Sequence, residues 1–243
     1  TGPTGSGKTV SLYACLNVLN HEGVNISTVE DPVEIFMHGI NQVSINEKAG
    51  VQFATALRAF LRQDPDILMV GEIRDLETAD IAVKAAQTGH LVFSTLHTND
   101  ATMALTRLMQ MGVTPYNVAA SVNLIVAQRL VRRLCSCKKP VKLDAYLLQS
   151  AGMDEAQAQQ NEWQAFAPNG CEQCYGTGYI GRIGIFQVVP VLPSMQSLIA
   201  RNASSQELSQ LAQEEGYLNL RQAGLRKVVA GISSLEEVMS ATL

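Results

Sequence analysis

Short apolar runs alternate with amphipathic segments through the first hundred residues of the chain. The runs 25–29, 67–70 and 91–96 read as β-strands, and the segments 51–63 and 76–88 repeat apolar residues at helical spacing. The second and third runs read as apolar throughout, which is typical of strands covered on both faces. Strands that alternate with helices predict an α/β fold with a mostly parallel sheet.

The pattern changes in the second half of the chain. Thr114 and Pro115 indicate a helix start, and residues 183–190 predict a strand that returns to the core. Ser233 with Glu236, or Ser234 with Glu237, would form a capping box at the start of the last helix. The predicted C-terminal helices cover 194–202, 205–215, 219–230 and 234–241.

Composition excludes several classes of protein. Hydrophobic residues make up 47% of the 243 residues and charged residues 16%, which argues against long disordered tracts. The chain shows neither an uncharged apolar run of about 18 residues nor a signal peptide at its start. A net charge of −4 is not that of a nucleic-acid polycation.

A phosphate-binding loop opens the chain. Its residues fit the pattern G-x-x-x-x-G-K-[ST] at every fixed position: Gly2, Pro3, Thr4, Gly5, Ser6, Gly7, Lys8 and Thr9. Backbone N–H groups in such a loop cradle phosphate oxygens at a helix N-terminus. Lys8 would neutralise the terminal phosphates of ATP, and the Thr9 hydroxyl would bind Mg²⁺. The alternative is a chance glycine-rich turn.

The residues after the loop support this interpretation. Leu12, Cys15, Leu16 and Leu19 repeat at helical spacing, and Gly23 suits the end of a helix. Since Cys15 falls on this apolar stripe, we expect it to pack in the core. Such a loop normally follows a buried strand. We therefore expect that the chain begins inside a longer protein and lacks the first core strand.

Titratable residues follow three of the predicted strands. Glu30 and Asp31 follow the first, Glu72 the second and His97 the third. Ligands of parallel α/β sheets bind beyond the carboxyl ends of the strands, so these side chains should gather on the same edge as Lys8. Glu72 is then a candidate to polarise the attacking water, Glu30 or Asp31 to hold Mg²⁺ through waters or share the base role, and His97 to contact the γ-phosphate. The alternative for each one is a capping or ion-pairing side chain.

Three arginines near these residues have two interpretations. Arg58 and Arg62 share a helix face, and Arg74 follows Glu72 by two positions. One of them could contact phosphate or a neighbouring subunit, but the favoured interpretation is pairing with nearby aspartates (Asp64, Asp66, Asp75 or Asp80). His90, at the start of a strand, is expected to be structural.

Four of the five cysteines form two close pairs. Cys135 and Cys137 make a C-x-C pair, and Cys171 and Cys174 make a C-x-x-C pair. Two such pairs can close a tetrahedral zinc site, although the one-residue gap of the first pair strains that geometry. The alternative is a set of reduced or redox-linked cysteines. Basic residues near the first pair would offset the charge of a zinc–thiolate site: Arg132, Arg133, Lys138, Lys139 and Lys142.

The combined motifs resemble the ATPases of type II secretion and type IV pilus assembly, of the GspE and PilB type. The resemblance rests on the loop 2–9, the acidic block 28–34, the block 68–75, the histidine box 89–101 and the triplet 128–130. It extends through nearly the whole chain.

The resemblance implies a hexameric motor at the cytoplasmic face of the inner membrane, acting on a membrane platform protein. It implies that Glu30, Asp31 and Glu72 serve Mg²⁺ and water activation, that His97 lies near the γ-phosphate, and that Glu34 supports the acidic block. A branch of the family carries a four-cysteine zinc insertion, usually with C-x-x-C as its first pair. The family's upstream domain supplies arginines to the ATP site, so we expect weak hydrolysis from this chain alone.

The predicted fold is therefore a RecA-like P-loop core with a small cysteine insertion and a C-terminal helical subdomain. We assign 1–134 to the core, 135–182 to the four-cysteine insertion, and 183–243 to the returning strand and the helices. Two other functions remain possible on the same core: a nucleic-acid translocase, which the acidic balance disfavours, and a scaffold that binds nucleotide without hydrolysis. No direct nucleic-acid contact is expected, and membrane association would run through partners.

Overall fold

The computed structural model describes residues 1–142 and 164–242. The chain forms two compact units, the first built from residues 1–2, 8–125 and 189–212, and the second from residues 3–7, 126–188 and 213–243. Among the described residues, no helix is both long enough and apolar enough to cross a membrane.

A four-stranded parallel sheet forms the centre of the first unit. Its strands are β1 (Ile26–Glu30), β2 (Asn41–Ser44), β3 (Ile67–Val70) and β4 (Leu91–Ser94), in the order β2-β1-β3-β4. The predicted parallel α/β sheet is therefore confirmed. β1 and β3 are buried along their whole length, whereas β4 lies at the edge of the described sheet and its Leu91 is exposed. The expectation that 91–96 is covered on both faces is wrong, because Leu91 is exposed and Val92 to Ser94 are only half-buried.

Helices pack around this sheet. Asp75 and Thr114 cap the third and fifth helices with their side-chain oxygens, and the helix start at Thr114 was predicted. The helices of this part of the chain are α1 (Lys8–Leu19), α2 (Phe53–Phe60), α3 (Leu76–Gln87), α4 (Thr102–Gln110), α5 (Pro115–Ser121), α6 (Pro193–Ala200) and α7 (Ser205–Glu214). Strand β2 and helix α4 were not predicted.

The helix α1 packs its apolar face on one side of the sheet. Tyr13 and Leu16 are buried there with Ile26, Ile67 and Met69. Cys15 is exposed, so the expectation that it packs in the core is wrong. With about 100° of rotation per residue, a face centred between Tyr13 and Leu16 leaves Cys15 on the opposite flank.

The second unit contains the cysteine region and the last two helices. Its described elements are β5 (Leu124–Leu134) paired with β8 (Tyr179–Pro190), β6 (Lys139–Lys142) paired antiparallel with β7 (Gln164–Ala167), α8 (Leu220–Val229) and α9 (Leu235–Ala241). The part of the predicted cysteine insertion from 143 to 163 lies outside the described residues. The compact units divide the chain differently from the predicted domain boundaries, which stay a prediction.

The turn between α8 and α9 holds the beginning of the cysteine region. Ile232 O accepts from Leu134 N at 2.8 Å, and the Ser233 hydroxyl donates to Arg132 O at 2.8 Å. The Ser234 hydroxyl accepts from Glu237 N, so the cap of α9 uses Ser234 rather than Ser233. The backbone of β5 is thereby joined to the last helix pair.

Gly224 sets the distance between α8 and α9. A Cβ atom at this buried position would lie 2.4 Å from Cγ1 of Val238 and 3.3 Å from its Cγ2. Val238 is itself fully buried. The two helices therefore approach as closely as they do because residue 224 has no side chain.

We expect Gly224→Ala to destabilise the chain by about 1–3 kcal/mol, because overpacking outweighs the helix propensity that alanine adds. Thermal or urea unfolding measures this. In the double variant with Val238→Ala the added methyl has room, so the two effects should combine to much less than their sum. Additive losses, or a stabilised Gly224→Ala variant, would contradict the close approach.

Candidate functional site

The carboxyl ends of three neighbouring strands meet at one edge of the sheet. Gly71 N donates to Val29 O at 2.8 Å, and the Thr95 hydroxyl donates to Gly71 O at 2.6 Å. A Cβ atom on Gly71 would lie 3.2 Å from Cα of Glu30, so the ends of β1 and β3 are in close contact. The residues that follow these strands are consequently presented side by side.

Glu72 lies at this edge between two basic side chains. Its Oε1 accepts a hydrogen bond from Arg74 Nη2, and its Oε2 lies 3.5 Å from His97 Nε2. The Glu72 side chain is 17% exposed, whereas His97 is half exposed. The hydrogen bond from Arg74, opposed by partial burial, holds the pKa of Glu72 below its usual value. Glu72 is therefore an ionised carboxylate, and each of its oxygens faces a basic side chain.

Asp31 joins the same group of charges through Arg74. Arg74 Nη2 lies 3.4 Å from Asp31 Oδ2. Pairing with Glu72 and Asp31 was not foreseen, because the sequence favoured Asp64, Asp66, Asp75 or Asp80 as partners. Arg58 pairs with Glu77 at 2.7 Å instead.

Glu30 occupies a different environment from Asp31. It is 2% exposed, and its Oε1 accepts from the Thr28 hydroxyl at 2.7 Å and from Gln42 Nε2 at 3.2 Å. The Tyr13 hydroxyl donates to its Oε2 and accepts from Glu34 N at 3.1 Å. Burial and the hydrogen bond to Glu30 raise the pKa of Tyr13. Since protein donors already occupy both oxygens of Glu30, Asp31 is the more accessible carboxylate for a metal ion.

Lys8 is connected to the end of β4 through the first residues of the chain. Lys8 Nζ donates to Gly2 O at 2.8 Å, and Gly2 N donates to Leu96 O at 3.3 Å. The Thr1 hydroxyl also donates to Leu96 O, at 2.8 Å. Lys8 and the half-buried Thr9 begin α1. In the first unit, Lys8 is thus linked by two hydrogen bonds to the residue that precedes His97.

The middle of the phosphate loop, Pro3 to Gly7, belongs to the second unit. Ser6 N donates to Pro3 O at 3.2 Å, and Gly5 and Gly7 have φ values of 78° and 85°. A Cβ atom on Gly7 would lie 2.9 Å from Gln128 Nε2. Glycine at position 7 suits the left-handed backbone, and a side chain there would have to displace the end of the Gln128 side chain. The role of these loop residues in binding nucleotide stays a prediction.

The four paired cysteines form one cluster. Their sulfur atoms all lie within 4.8 Å of one another. The closest sulfur pairs are Cys135–Cys171 at 3.7 Å, Cys171–Cys174 at 3.7 Å and Cys137–Cys174 at 3.9 Å. A tetrahedral ion with Zn–S bonds of about 2.3 Å requires sulfur atoms about 3.8 Å apart. The cluster therefore has the dimensions of a four-thiolate zinc site.

Local turns allow the C-x-C pair to contribute both sulfurs. Lys138 N donates to Cys135 O at 3.0 Å, which curls the backbone of the first pair.

The Sγ of Cys174 accepts from Cys171 N at 3.1 Å and from Gly178 N at 3.2 Å. Burial raises the pKa of Cys174, but these N–H donors outweigh it and lower the pKa to about 6. Burial and the neighbouring thiols raise the pKa of Cys137 to about 12.

Two of the basic residues near the cluster are bound elsewhere. Lys138 Nζ donates to Gly231 O at 2.5 Å and lies 4.3 Å from the centre of the Phe166 ring. Arg132 Nη2 lies 2.5 Å from Glu237 Oε1, and its guanidinium lies 4.1 Å from the centre of the Tyr179 ring. Arg132 is already paired with a carboxylate, whereas the partners of Lys138 are neutral, so the expectation that the five cations offset a metal site stays a prediction.

Several residues of the site had no motif to reveal them. Tyr13, Thr28 and Gln42 bind Glu30 but are common residue types in the middle of a helix or strand. His90 Nδ1 lies 2.9 Å from Ala85 O, which fits the structural role expected for it. The hydroxyl oxygens of Thr98 and Thr1 lie 2.7 Å apart. Tyr13, Gln42 and Thr98 are 12 or more residues from their partners, so only the folded arrangement identifies them.

Comparison with known proteins identifies relatives over the whole chain. The model of the family "Type II/IV secretion system protein" matches residues 1–240. The chain is 56% identical to the type IV pilus assembly ATPase PilB of Acinetobacter baylyi over 243 residues. These residues are all of this chain and 42% of that protein. It is 49% identical to type II secretion system protein E of Pseudomonas aeruginosa, over all of this chain and 47% of that protein. The chain thus spans less than half the length of these relatives.

A solved structure supports the fold. The chain is similar to the pilus retraction motor PilT, determined with bound ADP, with a TM-score of 0.71 and 28% identity. The similarity covers 99% of this chain and 59% of PilT. The predicted P-loop ATPase fold is therefore confirmed.

The ion pair between Arg132 and Glu237 predicts a pH dependence of stability. The hydrogen bond from Arg132 lowers the pKa of Glu237 below its usual 4.5, although burial opposes it. A carboxyl group whose pKa is lowered by folding stabilises the protein at any pH above its unfolded-state pKa. That stability is lost as the pH falls through the folded-state pKa. We expect Glu237→Gln to cost about 1 kcal/mol at pH 7 and much less near pH ~3.

Unfolding measured at both pH values tests this prediction. Glu236→Gln is the matched control, because Glu236 is exposed in the same first turn of α9. The prediction fails when Glu237→Gln and Glu236→Gln show the same pH dependence.

Proposed function

Because the chain belongs to the type II/IV secretion system protein family, we propose that it is the ATP-hydrolysing core of a motor for type IV pilus assembly or type II protein secretion. The proposal is carried by one observation: the Glu72 carboxylate lies at the carboxyl edge of the sheet, in contact with His97 and linked through Arg74 to Asp31. Identity is 56% to one pilus assembly ATPase and 49% to one secretion ATPase, so both processes stay in the proposal.

The residues at this edge suit attack of water on a γ-phosphate. Mg²⁺, when bound, offsets the negative charge of the phosphates. Thr9 would supply a hydroxyl ligand, and Asp31 an outer carboxylate that acts through water. Glu30 would hold Tyr13 and the acidic block in place rather than touch the ion. The loop Gly2 to Thr9 would bind the phosphates, with Lys8 neutralising the terminal ones.

Glu72 and His97 would carry the chemical step. An ionised carboxylate can orient a water molecule and accept its proton late in the reaction. His97 is half exposed beside Glu72, from where it could donate a hydrogen bond to a γ-phosphate oxygen. The non-hydrolysing scaffold is disfavoured because a carboxylate with a lowered pKa follows β3, at the edge where the ligands of such sheets bind.

The cysteine cluster supports a second part of the proposal, a structural zinc ion. All four sulfurs converge, and N–H donors favour the thiolate form of Cys174. A site with four protein ligands has no open position for catalysis, so its role is to stabilise the fold. Reduced or redox-linked cysteines remain the alternative that metal analysis distinguishes.

The assembly and its location complete the proposal. We propose a homo-hexamer on the cytoplasmic face of the inner membrane, which acts on a platform protein in that membrane. The resemblance to the motor family supports this arrangement. Contact with the membrane would run through partners, and direct nucleic-acid contact is not expected at a net charge of −4.

Substitution of Glu72 tests the hydrolytic role in the full-length protein that carries this chain. We expect Glu72→Gln to lower ATP turnover at least about 100-fold while ATP binding persists, because the variant loses the proton acceptor. Lys8→Ala should weaken ATP binding itself. Steady-state turnover and nucleotide titration separate the two effects.

Glu77→Gln is the matched control, since Glu77 is an exposed carboxylate paired with Arg58. Unchanged turnover in Glu72→Gln would refute the hydrolytic reading. Stimulation of turnover by DNA would instead favour a nucleic-acid translocase.

Metal analysis tests the zinc proposal. We expect about one zinc ion per chain, and we expect Cys137→Ser to lose the metal and lower the thermal midpoint. Cys15→Ser is the control, because Cys15 is an exposed cysteine outside the cluster. Metal-free protein with unchanged stability in the presence of a chelator would contradict a structural zinc.

A further inference from the structure

Arg74 contacts two of the proposed functional carboxylates at once. Its Nη2 group donates to Glu72 Oε1 and lies 3.4 Å from Asp31 Oδ2. Glu72 follows β3 and Asp31 follows β1, so one guanidinium connects the ends of two adjacent strands. A guanidinium nitrogen with two N–H bonds can serve two acceptors.

The contact differs from an ordinary surface ion pair. Arg58 and Glu77 form such a pair, and their side chains are 50% and 60% exposed. Glu72 is only 17% exposed, although Arg74 itself is 59% exposed. A carboxylate withdrawn from water is held more firmly by its partner than one in free solvent. Arg74 therefore constrains Glu72 in a way that Arg58 does not constrain Glu77.

The two oxygens of Glu72 are held from different sides. Arg74 donates a hydrogen bond to Oε1, and His97 Nε2 lies 3.5 Å from Oε2. Two separate contacts fix the plane of a carboxylate, which would otherwise rotate about its last bond. His97 must be free to meet phosphate under the proposed function, so Arg74 is the contact that keeps the orientation of Glu72.

We propose that Arg74 is the positioning residue of this site, which aligns Glu72 with Asp31 across the ends of β3 and β1. The inference rests on the proposed hydrolysis of ATP and adds a residue to it. In this role Arg74 would act through the two carboxylates and not by contact with the nucleotide or the water. Its loss should therefore affect the rate of the chemical step far more than the binding of ATP.

Two substitutions in the full-length protein test the inference. We expect Arg74→Gln to lower kcat by about 10- to 100-fold, as misplacement of a catalytic group does, while KM for ATP changes less than about 3-fold. Arg74→Lys keeps the charge but loses the planar fork, so it should restore part of kcat. Lys84→Gln is the matched control, because Lys84 forms an exposed ion pair with Asp80, and it should leave kcat unchanged.

A double-mutant cycle separates a positioning role from a merely structural one. If Arg74 acts through Glu72, adding Arg74→Gln to Glu72→Gln should lower the remaining single-turnover rate by less than about 2-fold. Titration with a non-hydrolysable ATP analogue should give equal affinities for the wild type and Arg74→Gln.

The possible outcomes are distinct. Equal kcat in the wild type and Arg74→Gln, or a change confined to KM, overturns the inference and leaves the proposed function intact. Fully additive losses in the cycle also overturn it. An inactive wild-type protein overturns the proposed function together with the inference.

Discussion

Parallel pairing of β1, β3 and β4 is the constraint on which the candidate site depends. Parallel strands all end at the same edge of a sheet, so residues separate in sequence are brought together wherever each strand stops. The hydrogen bonds of Gly71 to Val29 and of Thr95 to Gly71 extend this alignment one residue beyond the strands. Backbone pairing therefore determines where the side chains that follow the strands lie.

The same edge gives its three carboxylates different environments. Glu30 is buried and accepts hydrogen bonds from protein donors on both oxygens. Glu72 is largely buried between two basic groups, whereas Asp31 is exposed. Carboxylates of similar intrinsic acidity can therefore divide the tasks of support, proton acceptance and metal binding, because burial and partners decide what each one does.

Sequence patterns predicted the parts of the fold that depend on continuous burial. The strand 67–70 was predicted with its exact bounds, because both its faces are covered. The strand 41–44 was missed, since its polar residues carry no apolar pattern. The exposure of Cys15 depends on how α1 turns its Tyr13 toward the sheet, and one partner of Arg74, Asp31, follows a different strand. Pattern finds the residues that end a strand, but which of them touch is decided by packing.

The turn between α8 and α9 joins the last helices to the cysteine region through several short contacts in parallel. Ile232 accepts from β5, Ser233 donates to it, and Gly231 accepts from Lys138 next to the cysteine cluster. Bonds that act side by side share a load and must break together. In a protein proposed to do mechanical work, these hydrogen bonds couple the movement of the two segments. A displacement of the helix pair would therefore also move the beginning of the cysteine region.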